Sequence, residues 1–286
     1  SGINGFLGSH LAKHLKSSFE VIGLEVFLNN LFRIDSENFK VYSTRNSSLE
    51  SIFEDNNFFA VIHAATVYQT KNDPVSNLLD ANINLPIRLL ELCNIYSVSL
   101  FLNTDSFFNN EKYSYSYLPE YTLSKKQSLE WIKLLANNSF CKVANMKIFH
   151  MYGENDAGKK FIPFIINEIK SDITEIELTP GEQIRDFIYV KDVIRAYETV
   201  LKSEVNLNSY QEFEVGSGKS YSIKNLLKLI KKITGSKTDL KFGALDYRDG
   251  EIMNSMSNNS ELVKLGWIPE FNLSEGLSKV INTFNK

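Results

Sequence analysis

The sequence predicts an α/β protein with a Rossmann-type, doubly wound parallel sheet and a smaller C-terminal lobe. Three observations predict this fold. Short apolar runs alternate with amphipathic helical stretches through the first half of the chain, which is the pattern of a parallel sheet covered by helices. A glycine-rich turn stands directly before the first helical stretch. After Tyr152 and Gly153 the predicted elements become shorter and are punctuated by Gly and Pro.

The first predicted domain covers residues 1–150. A hydrophobic strand is expected before Ser1, because a glycine turn of this kind follows a strand. The next strands are predicted at residues 20–24, 59–63, 99–103 and 143–149, and the helices between them at residues 7–15, 75–95 and 121–137. The predicted second lobe covers residues 151–286, with helices at residues 162–169, 193–201, 223–233 and 273–284. Segments near residues 185–205 could return to pack on the sheet.

Composition excludes several classes of function. The 286 residues carry a formal net charge of −3 with interspersed charges, so no cationic face for nucleic acid is expected. We find no apolar run of membrane-spanning length and no signal-peptide pattern. Cys93 and Cys141 lie in apolar contexts and are interpreted as reduced core residues of a cytoplasmic protein, with no metal site expected.

The glycine turn is the first candidate binding site. Gly2 permits a tight turn, Gly5 allows a pyrophosphate to approach the main chain, and Gly8 allows the following helix to pack closely on the sheet. The amino end of that helix attracts phosphates. These features favour a dinucleotide over an inert glycine-rich turn.

Glu25 ends the second predicted strand, about 20 residues after the glycines, where an acidic residue holds the adenosine ribose. A carboxylate at this position repels a 2′-phosphate and favours NAD over NADP. Arg33 is the nearest downstream cation and could still serve a 2′-phosphate, so NADP stays open.

Tyr121 and Lys125 are the candidate catalytic pair. Four residues apart, they share one face of a predicted helix, and an ammonium beside a phenol is expected to lower the phenol pKa for proton exchange. Thr104 and Asp105 directly follow the predicted strand 99–103, at the edge where open α/β sheets bind ligands. The same two residues could instead form a helix cap or turn.

The order of the motifs resembles the extended short-chain dehydrogenase/reductases, the NAD-dependent epimerase/dehydratase family. The matching segments of the first half are Gly2, Gly5 and Gly8, residues 21–25, His63-Ala64-Ala65, Asn82, Thr104, Tyr121 with Lys125, and residues 149–153. Those of the second half are residues 185–193, 215–218, 248–251 and 265–269.

The resemblance implies roles for individual residues. Tyr121 would be the general acid/base, assisted by Lys125, Thr104 and Asp105. The implied cofactor-binding residues are Gly2, Asn4, Gly5, Phe6, Leu7, Gly8, Glu25, His63, Ala64, Ala65, Asn82, Lys125, Phe149 and His150. The implied substrate-binding residues are Asp105, Ser106, Tyr152, Arg185, Arg248 and Glu251, with the two arginines holding a nucleotide diphosphate.

The resemblance also narrows the reaction. Sugar 4,6-dehydratases of the family carry a Thr-Asp-Glu triplet, whereas this chain has Thr104-Asp105-Ser106, which disfavours dehydration. The segment 104–109 is similar to the Thr-Asp-Tyr-Val-Phe-Asp stretch of bacterial nucleotide-deoxysugar 4-ketoreductases. The implied function is therefore NAD(P)-dependent reduction of the C4 ketone of a nucleotide-linked 6-deoxysugar. The alternative is a nucleotide-sugar 4-epimerase with retained NAD, ahead of a dehydratase or an inactive nucleotide-binding protein.

A homodimer is expected from the same resemblance, through the helix after Asn82 and the helix of Tyr121. Apolar side chains on these helices could supply the contact: Ile87, Leu90, Ile95, Trp131, Leu134 and Leu135. They could equally be ordinary core residues.

Overall fold

A computed structural model of the chain describes residues 1–68, 74–110, 118–171 and 173–284. The strands are β1 (Ile22–Glu25), β2 (Lys40–Ser43), β3 (Ala60–His63), β4 (Leu100–Ser106), β5 (Lys142–Ile148), β6 (His150–Tyr152), β7 (Glu175–Leu178), β8 (Ile184–Arg185), β9 (Phe187–Tyr189), β10 (Tyr210–Val215), β11 (Tyr221–Ser222), β12 (Asp239–Phe242) and β13 (Asn254–Ser255). The α-helices are α1 (Phe6–Leu15), α2 (Leu49–Glu54), α3 (Val75–Leu79), α4 (Leu85–Ile95), α5 (Pro119–Ala136), α6 (Phe161–Lys170), α7 (Val190–Lys202), α8 (Ile223–Thr234), α9 (Ser260–Lys264) and α10 (Leu273–Thr283). A π-helical segment, Asp80–Asn84, joins α3 to α4, and a 3₁₀ turn, Glu204–Asn206, follows α7.

The central sheet has the strand order β10-β5-β4-β3, and all of its strands are parallel. A second parallel pair, β1-β2, lies beside it. The first two residues of the chain connect the central sheet with the β1-β2 pair. The Ser1 nitrogen donates to the Ile62 carbonyl on β3 at 2.6 Å, and the Gly2 N–H donates to the Leu24 carbonyl on β1 at 2.8 Å. The predicted α/β fold with a parallel sheet is confirmed.

The two faces of the central sheet have different cores. Leu102 and Met146 pack with α1 and α7, whereas Phe101 and Val143 pack with α4 and α5. Because successive side chains of a strand point to opposite faces, Leu102 and Thr104 face α7, whereas Phe101 and Asp105 face α5. This alternation separates Thr104 from its neighbour Asp105.

The second half of the chain is not separate from this sheet. β10 pairs with β5 along its whole length, and α7 packs against α1. Smaller sheets, β11-β8-β13, β12-β7 and β6-β9, build the rest of this half. The predicted boundary near residue 150 stays a prediction. No helix within the described ranges is long and apolar enough to cross a bilayer.

Two predicted elements differ from those observed. The predicted helix at residues 75–95 is interrupted by the π-helical segment, because Pro86 has no N–H to continue the ladder and its ring crowds the preceding turn. The predicted strand at 99–103 extends to Ser106, so Thr104 and Asp105 belong to the strand instead of following it. The elements β2, α2 and α9 and the strands β6–β13 were not predicted.

Candidate functional site

The glycine turn forms a cradle for a phosphate group. Gly2 has φ +72°, and a Cβ there would lie 2.7 Å from the main chain of Ala65. A Cβ on Gly8 would lie 2.0 Å from the Gly2 carbonyl oxygen. α1 begins at Phe6, and its N-cap, Gly5, provides no side-chain cap, which leaves the first N–H groups of the helix available to an anion. The turn therefore fits the pyrophosphate of a dinucleotide.

The adjoining residues complete the cradle. His63-Ala64-Ala65 continue β3 past Gly2, and the buried His63 bonds through Nδ1 to the Ser1 hydroxyl at 2.9 Å while Nε2 has no partner among the described residues. Burial lowers the pKa of His63 well below its ordinary value. Leu7 packs into the core, and the Phe6 ring lies edge-on to His10 at 5.1 Å.

Glu25 lies at the end of β1, where the sequence predicts the adenosine site. Its carboxylate accepts hydrogen bonds from the Asn4 N–H at 3.1 Å and the Val26 N–H at 3.0 Å. The Asn4 side chain accepts from the Arg33 N–H at 3.0 Å, and the Arg33 guanidinium reaches the Asn155 carbonyl at 3.3 Å. Glu25 and Arg33 therefore both adjoin the glycine turn, as the two cofactor alternatives require.

Asn82 occupies a supporting position. It is buried in the π-helical segment, and its amide donates to the Val67 carbonyl at 2.9 Å and to the Ser124 hydroxyl at 3.0 Å. It also accepts from the Val67 N–H at 2.9 Å. Asn82 thus ties the segment after β3 to α5 and does not present its amide to a ligand.

Tyr121 lies on the first turn of α5, and its side chain is 4% exposed. Its ring stacks on Tyr68, with centroids 4.5 Å apart. Burial, followed by the neighbouring Tyr68 phenol, raises the pKa of Tyr121 well above its ordinary value, against a lowering by a hydrogen bond with the Ser106 side chain. Burial therefore dominates the pKa of Tyr121 in this structure, and the predicted lowering of that pKa by Lys125 stays a prediction.

Lys125 lies one helical turn after Tyr121, as predicted, and is 4% exposed. Its amine donates to the main-chain carbonyl of Thr104 at 3.0 Å. Burial lowers the pKa of Lys125, and the charge of Asp105 opposes this effect. The ammonium is thus held at the carboxyl end of β4.

Thr104 does not place its hydroxyl beside Tyr121. Its Oγ1 lies 2.7 Å from the Tyr197 hydroxyl on α7, on the face of β4 that the alternation of the strand dictates. The hydroxyl that interacts with Tyr121 belongs to Ser106. Ser106 is thus a further candidate to assist Tyr121, and the predicted assisting role of Thr104 stays a prediction.

Asp105 points beneath α5. Its carboxylate accepts from the Ser106 N–H at 2.7 Å, from Asn109 at 3.1 Å and from Asn145 at 2.9 Å. Burial raises the pKa of Asp105, while Asn145 and the charge of Lys125 oppose that rise. The predicted contact of Asp105 with the substrate is not supported by this geometry, because protein donors occupy the carboxylate.

An aromatic wall adjoins Tyr121. Phe107 lies 4.2 Å from the His150 ring and 5.8 Å from Phe149, centroid to centroid, and Phe108 meets Tyr121 edge-on at 6.3 Å. Burial and the charge of Arg185 lower the pKa of His150 to about 3. His150 is therefore neutral at physiological pH, and its Nε2 has no partner among the described residues.

The two arginines that the sequence predicts to bind the diphosphate differ in their exposure to solvent. Arg185 is buried and forms an ion pair with Glu251, and it also donates to the Ile184 carbonyl at 2.8 Å. Arg248 is exposed, and its carbonyl accepts from the Glu251 N–H at 3.1 Å. Arg185, Glu251 and His150 therefore adjoin one another on the side of the site formed by the second half.

Tyr152 is not in the site. Its side chain is 1% exposed, and its hydroxyl donates to the Leu273 carbonyl at 3.4 Å. It packs where Gly276 on α10 leaves room, since a Cβ there would lie 2.2 Å from the phenol oxygen. The prediction of substrate binding by Tyr152 is corrected to a core position.

Some neighbours of the site were not predicted. They are Tyr68, Tyr197, Asn109, Ser124, Asn145, Lys147 and Glu212. A signal was present for two of them, because Asn145 and Lys147 are polar residues inside an otherwise apolar predicted strand. Buried polar residues require partners, and that requirement pointed to a network.

Comparisons with known proteins agree with the geometry. A model of the NAD dependent epimerase/dehydratase family matches residues 1–216. The chain is 35% identical to CDP-abequose synthase of Salmonella typhimurium, over 98% of this chain and 96% of that protein. It is 26% identical to a UDP-glucuronate 4-epimerase of Thermodesulfobacterium geofontis, over 99% and 94%. Among solved structures, a Thermotoga maritima UDP-glucose 4-epimerase with UDP-glucose superposes with a TM-score of 0.84 at 21% identity, covering 99% of this chain and 97% of that one.

Proposed function

The chain belongs to the NAD dependent epimerase/dehydratase family, and from this premise we propose that it reduces the C4 ketone of a nucleotide-linked 6-deoxysugar. It is an NAD(P)-dependent enzyme that acts on nucleotide-sugars. The similarity to CDP-abequose synthase, which extends over nearly the whole of both chains, supports the reductase within this family.

One observation about the site carries the proposal. The pKa of Tyr121 is raised by burial, so its phenol is protonated at neutral pH. Ketone reduction needs a proton donor at the carbonyl oxygen, whereas alcohol oxidation needs a base. A protonated Tyr121 is the proton donor that the proposed reduction needs, and this supports the reductive direction.

The residues divide the work as follows. A reduced nicotinamide, when bound, supplies the hydride. Tyr121 donates its proton to the oxygen that becomes the C4 hydroxyl. Ser106 donates a hydrogen bond at the same oxygen, and the charge of Lys125 stabilises the developing alkoxide.

The glycine turn and Glu25 support NAD(H) as the preferred cofactor. Glu25 is held at the end of β1 by two main-chain N–H groups, so its charge stays where a 2′-phosphate would come. Arg33 is the cation that would serve NADP(H) in its place. The ratio of kcat/KM for NADH and NADPH, in the native chain and in Glu25→Gln, tests this preference.

The nucleotide diphosphate is assigned to the side of the site with Arg185, His150 and Arg248. An arginine fork suits phosphate oxygens, and a neutral imidazole can donate or accept. Replacing Arg248 with Gln should raise the KM for the nucleotide-sugar and leave the KM for NADH unchanged.

The second candidate is a 4-epimerase with retained NAD. Glu25 favours this alternative, because its carboxylate suits NAD, the cofactor that such an enzyme retains. The two reactions differ in stoichiometry. Purified protein should consume one reduced nicotinamide for each 4-keto sugar, followed at 340 nm, with the product configuration determined by NMR. Copurification of bound NAD, with interconversion of 4-hydroxy sugars and no net absorbance change, would favour the epimerase.

Tyr121→Phe is the matched variant for that assay. It should lower turnover by about 10²- to 10⁴-fold while NADH affinity stays within a factor of two of the native chain. Turnover that survives in Tyr121→Phe would remove this residue as the proton donor.

The chain is further proposed to act as a cytoplasmic homodimer. Ile95 on α4, Trp131 and Leu134 on α5, and the nearby Phe140 are exposed apolar side chains, as a contact of two helices from each protomer requires. Leu90, predicted for the same contact, is a core residue. Trp131→Glu with Leu134→Glu should give a monomer in analytical ultracentrifugation.

A further inference from the structure

A buried polar network crosses the central sheet beneath α5. Asn145 on β5 donates to Asp105 on β4 at 2.9 Å and to Glu212 on β10 at 3.2 Å. Lys147 pairs with Glu212 at 2.6 Å. The Asn103 amide donates to the Asn145 oxygen at 2.8 Å. This network extends over three adjacent strands and reaches the residue that follows Thr104.

The carboxylate of Asp105 is fully engaged in this network. Its donors are the Ser106 N–H, the Asn109 amide and the Asn145 amide. The side chain is 4% exposed and faces α5. A sugar hydroxyl could bind there only by displacing a protein donor, which leaves a buried polar group unsatisfied.

The network also connects with Lys125. The Asn109 amide bonds both the Asp105 carboxylate, at 3.1 Å, and the Lys125 carbonyl, at 3.3 Å. A buried ammonium is costly unless an opposite charge lies nearby, and Asp105 provides the charge that favours protonated Lys125. Near α5, the side chains of Asp105 and Glu212 thus provide two carboxylates for the two amines of Lys125 and Lys147.

We propose that Asp105 is a positioning residue that acts through Lys125, and that Asn145 and the Glu212–Lys147 pair keep Asp105 in its charged form for that purpose. Asp105 holds Lys125 protonated at the end of β4 and, through Asn109, fixes the turn that follows Ser106. This inference deepens the proposed function, since it assigns the electrostatic support of the same site.

The titratable groups that surround Asp105 and Lys125 come from each packed element. They are Tyr121 on α5, His63 on β3, Lys147 on β5, Tyr197 on α7, and Glu212 with Tyr210 on β10. Burial lowers the pKa of His63 and raises the pKa values of the three tyrosines, so these groups are neutral, whereas Lys147 and Glu212 form an ion pair with each other. Removal of the Asp105 charge therefore leaves Lys125 without a nearby counter-charge among the described residues.

Asp105→Asn is the primary test, because the amide keeps the size of the side chain and removes its charge. The pKa of Lys125 is measured directly, by ¹³C NMR of protein labelled at the lysine Cε, with the resonance assigned from Lys125→Arg. Loss of the opposite charge should lower the pKa of Lys125 by about one unit or more. The same variant should lose kcat at least tenfold, with KM values for NADH and sugar within threefold of the native chain, and its activity should fall at a lower pH as Lys125 deprotonates.

Glu214→Gln is the matched control. Glu214 lies two residues after Glu212 on β10, but its carboxylate accepts from the Asn258 N–H at 2.6 Å and stands outside the network. The pKa of Lys125 and the pH profile should be unchanged in this variant. If Asp105→Asn does not fold, Asn145→Leu is the second variant. It leaves Asp105 intact and should also lower the pKa of Lys125, by a smaller amount than Asp105→Asn.

A folded Asp105→Asn or Asn145→Leu protein with an unchanged Lys125 pKa would overturn the proposal. So would a large rise in sugar KM with kcat unchanged in Asp105→Asn, because that result assigns Asp105 to substrate binding. The NMR measurement needs no substrate. A shifted pKa in a chain that reduces no 4-keto sugar would therefore reject the proposed function and retain the positioning role.

Discussion

The ring of Tyr68 stacks on the ring of Tyr121, with their centroids 4.5 Å apart and their planes 25° from parallel. The amine of Lys160, just before α6, lies over the Tyr68 ring at 4.1 Å from its centroid. The half-exposed Tyr68 thus contacts both the buried Tyr121 and Lys160, which belongs to the second half of the chain. Tyr68 therefore influences both the orientation and the acidity of Tyr121.

Tyr68→Phe keeps the aromatic stack and removes the second hydroxyl. Because that phenol contributes to the raised pKa of Tyr121, the variant should have a lower Tyr121 pKa. Tyr121 donates a proton only below its pKa, so the loss of activity at high pH should begin at a lower pH than in the native chain, with turnover near pH 7 unchanged. The pH profile of kcat measures this, and the absorbance of tyrosinate at 295 nm checks it.

Tyr96→Phe is the control for that experiment, since Tyr96 bonds Glu54 near the surface, away from the site. Its profile should match the native one. A Tyr68→Phe protein whose high-pH limb also stays in place would show that the second phenol has no influence on the acid.

The different partners of the Thr104 and Ser106 hydroxyls give a second prediction. Ser106→Ala removes the hydroxyl that interacts with Tyr121, and kcat should fall about tenfold to a hundredfold. Thr104→Val removes the bond to Tyr197, at 2.7 Å, and should lower stability by about 1 kcal/mol with a smaller loss of kcat. Steady-state kinetics and thermal unfolding of the two variants decide the assignment. The larger kinetic loss in Thr104→Val would restore the sequence-based assignment.

These differences show what sequence could predict. The periodicity of the apolar residues predicted the parallel sheet, and the spacing of Tyr121 and Lys125 placed both on one face of α5. The alternation of side chains along β4 was predictable in principle, but the predicted strand ended at Asn103, so Thr104 and Asp105 were expected to project together from its end. The extension of β4 to Ser106 puts them on opposite faces.

Partners from distant parts of the chain were beyond sequence-based inference. Tyr197 is 93 residues from Thr104, and Glu212 is 67 residues from Asn145. Tyr152 belonged to a motif associated with the site, but the small residue Gly276 allows α10 to approach, which buries the phenol. Helical or strand periodicity carries no information about such pairings.

Asp186 gives a prediction about stability. Its buried carboxylate accepts hydrogen bonds from the N–H and hydroxyl of Ser217, the N–H of Gly218, and the N–H and hydroxyl of Ser257. Asp186→Asn replaces one carboxylate oxygen with an NH₂ group, which cannot accept hydrogen bonds from these donors. We expect the free energy of unfolding to fall by about 3 kcal/mol. Asp35→Asn, on an exposed side chain, should change it by less than about 0.5 kcal/mol. Urea unfolding of both variants measures the difference, and equal stabilities would contradict the structural role.

The close approach at Gly8 tests the glycine turn as the cofactor cradle. A Cβ there would lie 2.0 Å from the Gly2 carbonyl oxygen and 2.8 Å from its carbon. Because both are main-chain atoms, Gly8→Ala must displace the amino end of α1 from the turn, and the N–H groups that would bind the pyrophosphate move with it. The Kd for NADH, measured by fluorescence titration, should rise at least about tenfold, a loss of about 1.4 kcal/mol. Gly158→Ala is the control, because nothing in the described part of the chain lies within 4 Å of a Cβ at that position, and its Kd should equal that of the native chain. Circular dichroism establishes that both variants are folded, and native NADH affinity in folded Gly8→Ala would place the pyrophosphate somewhere other than the glycine turn.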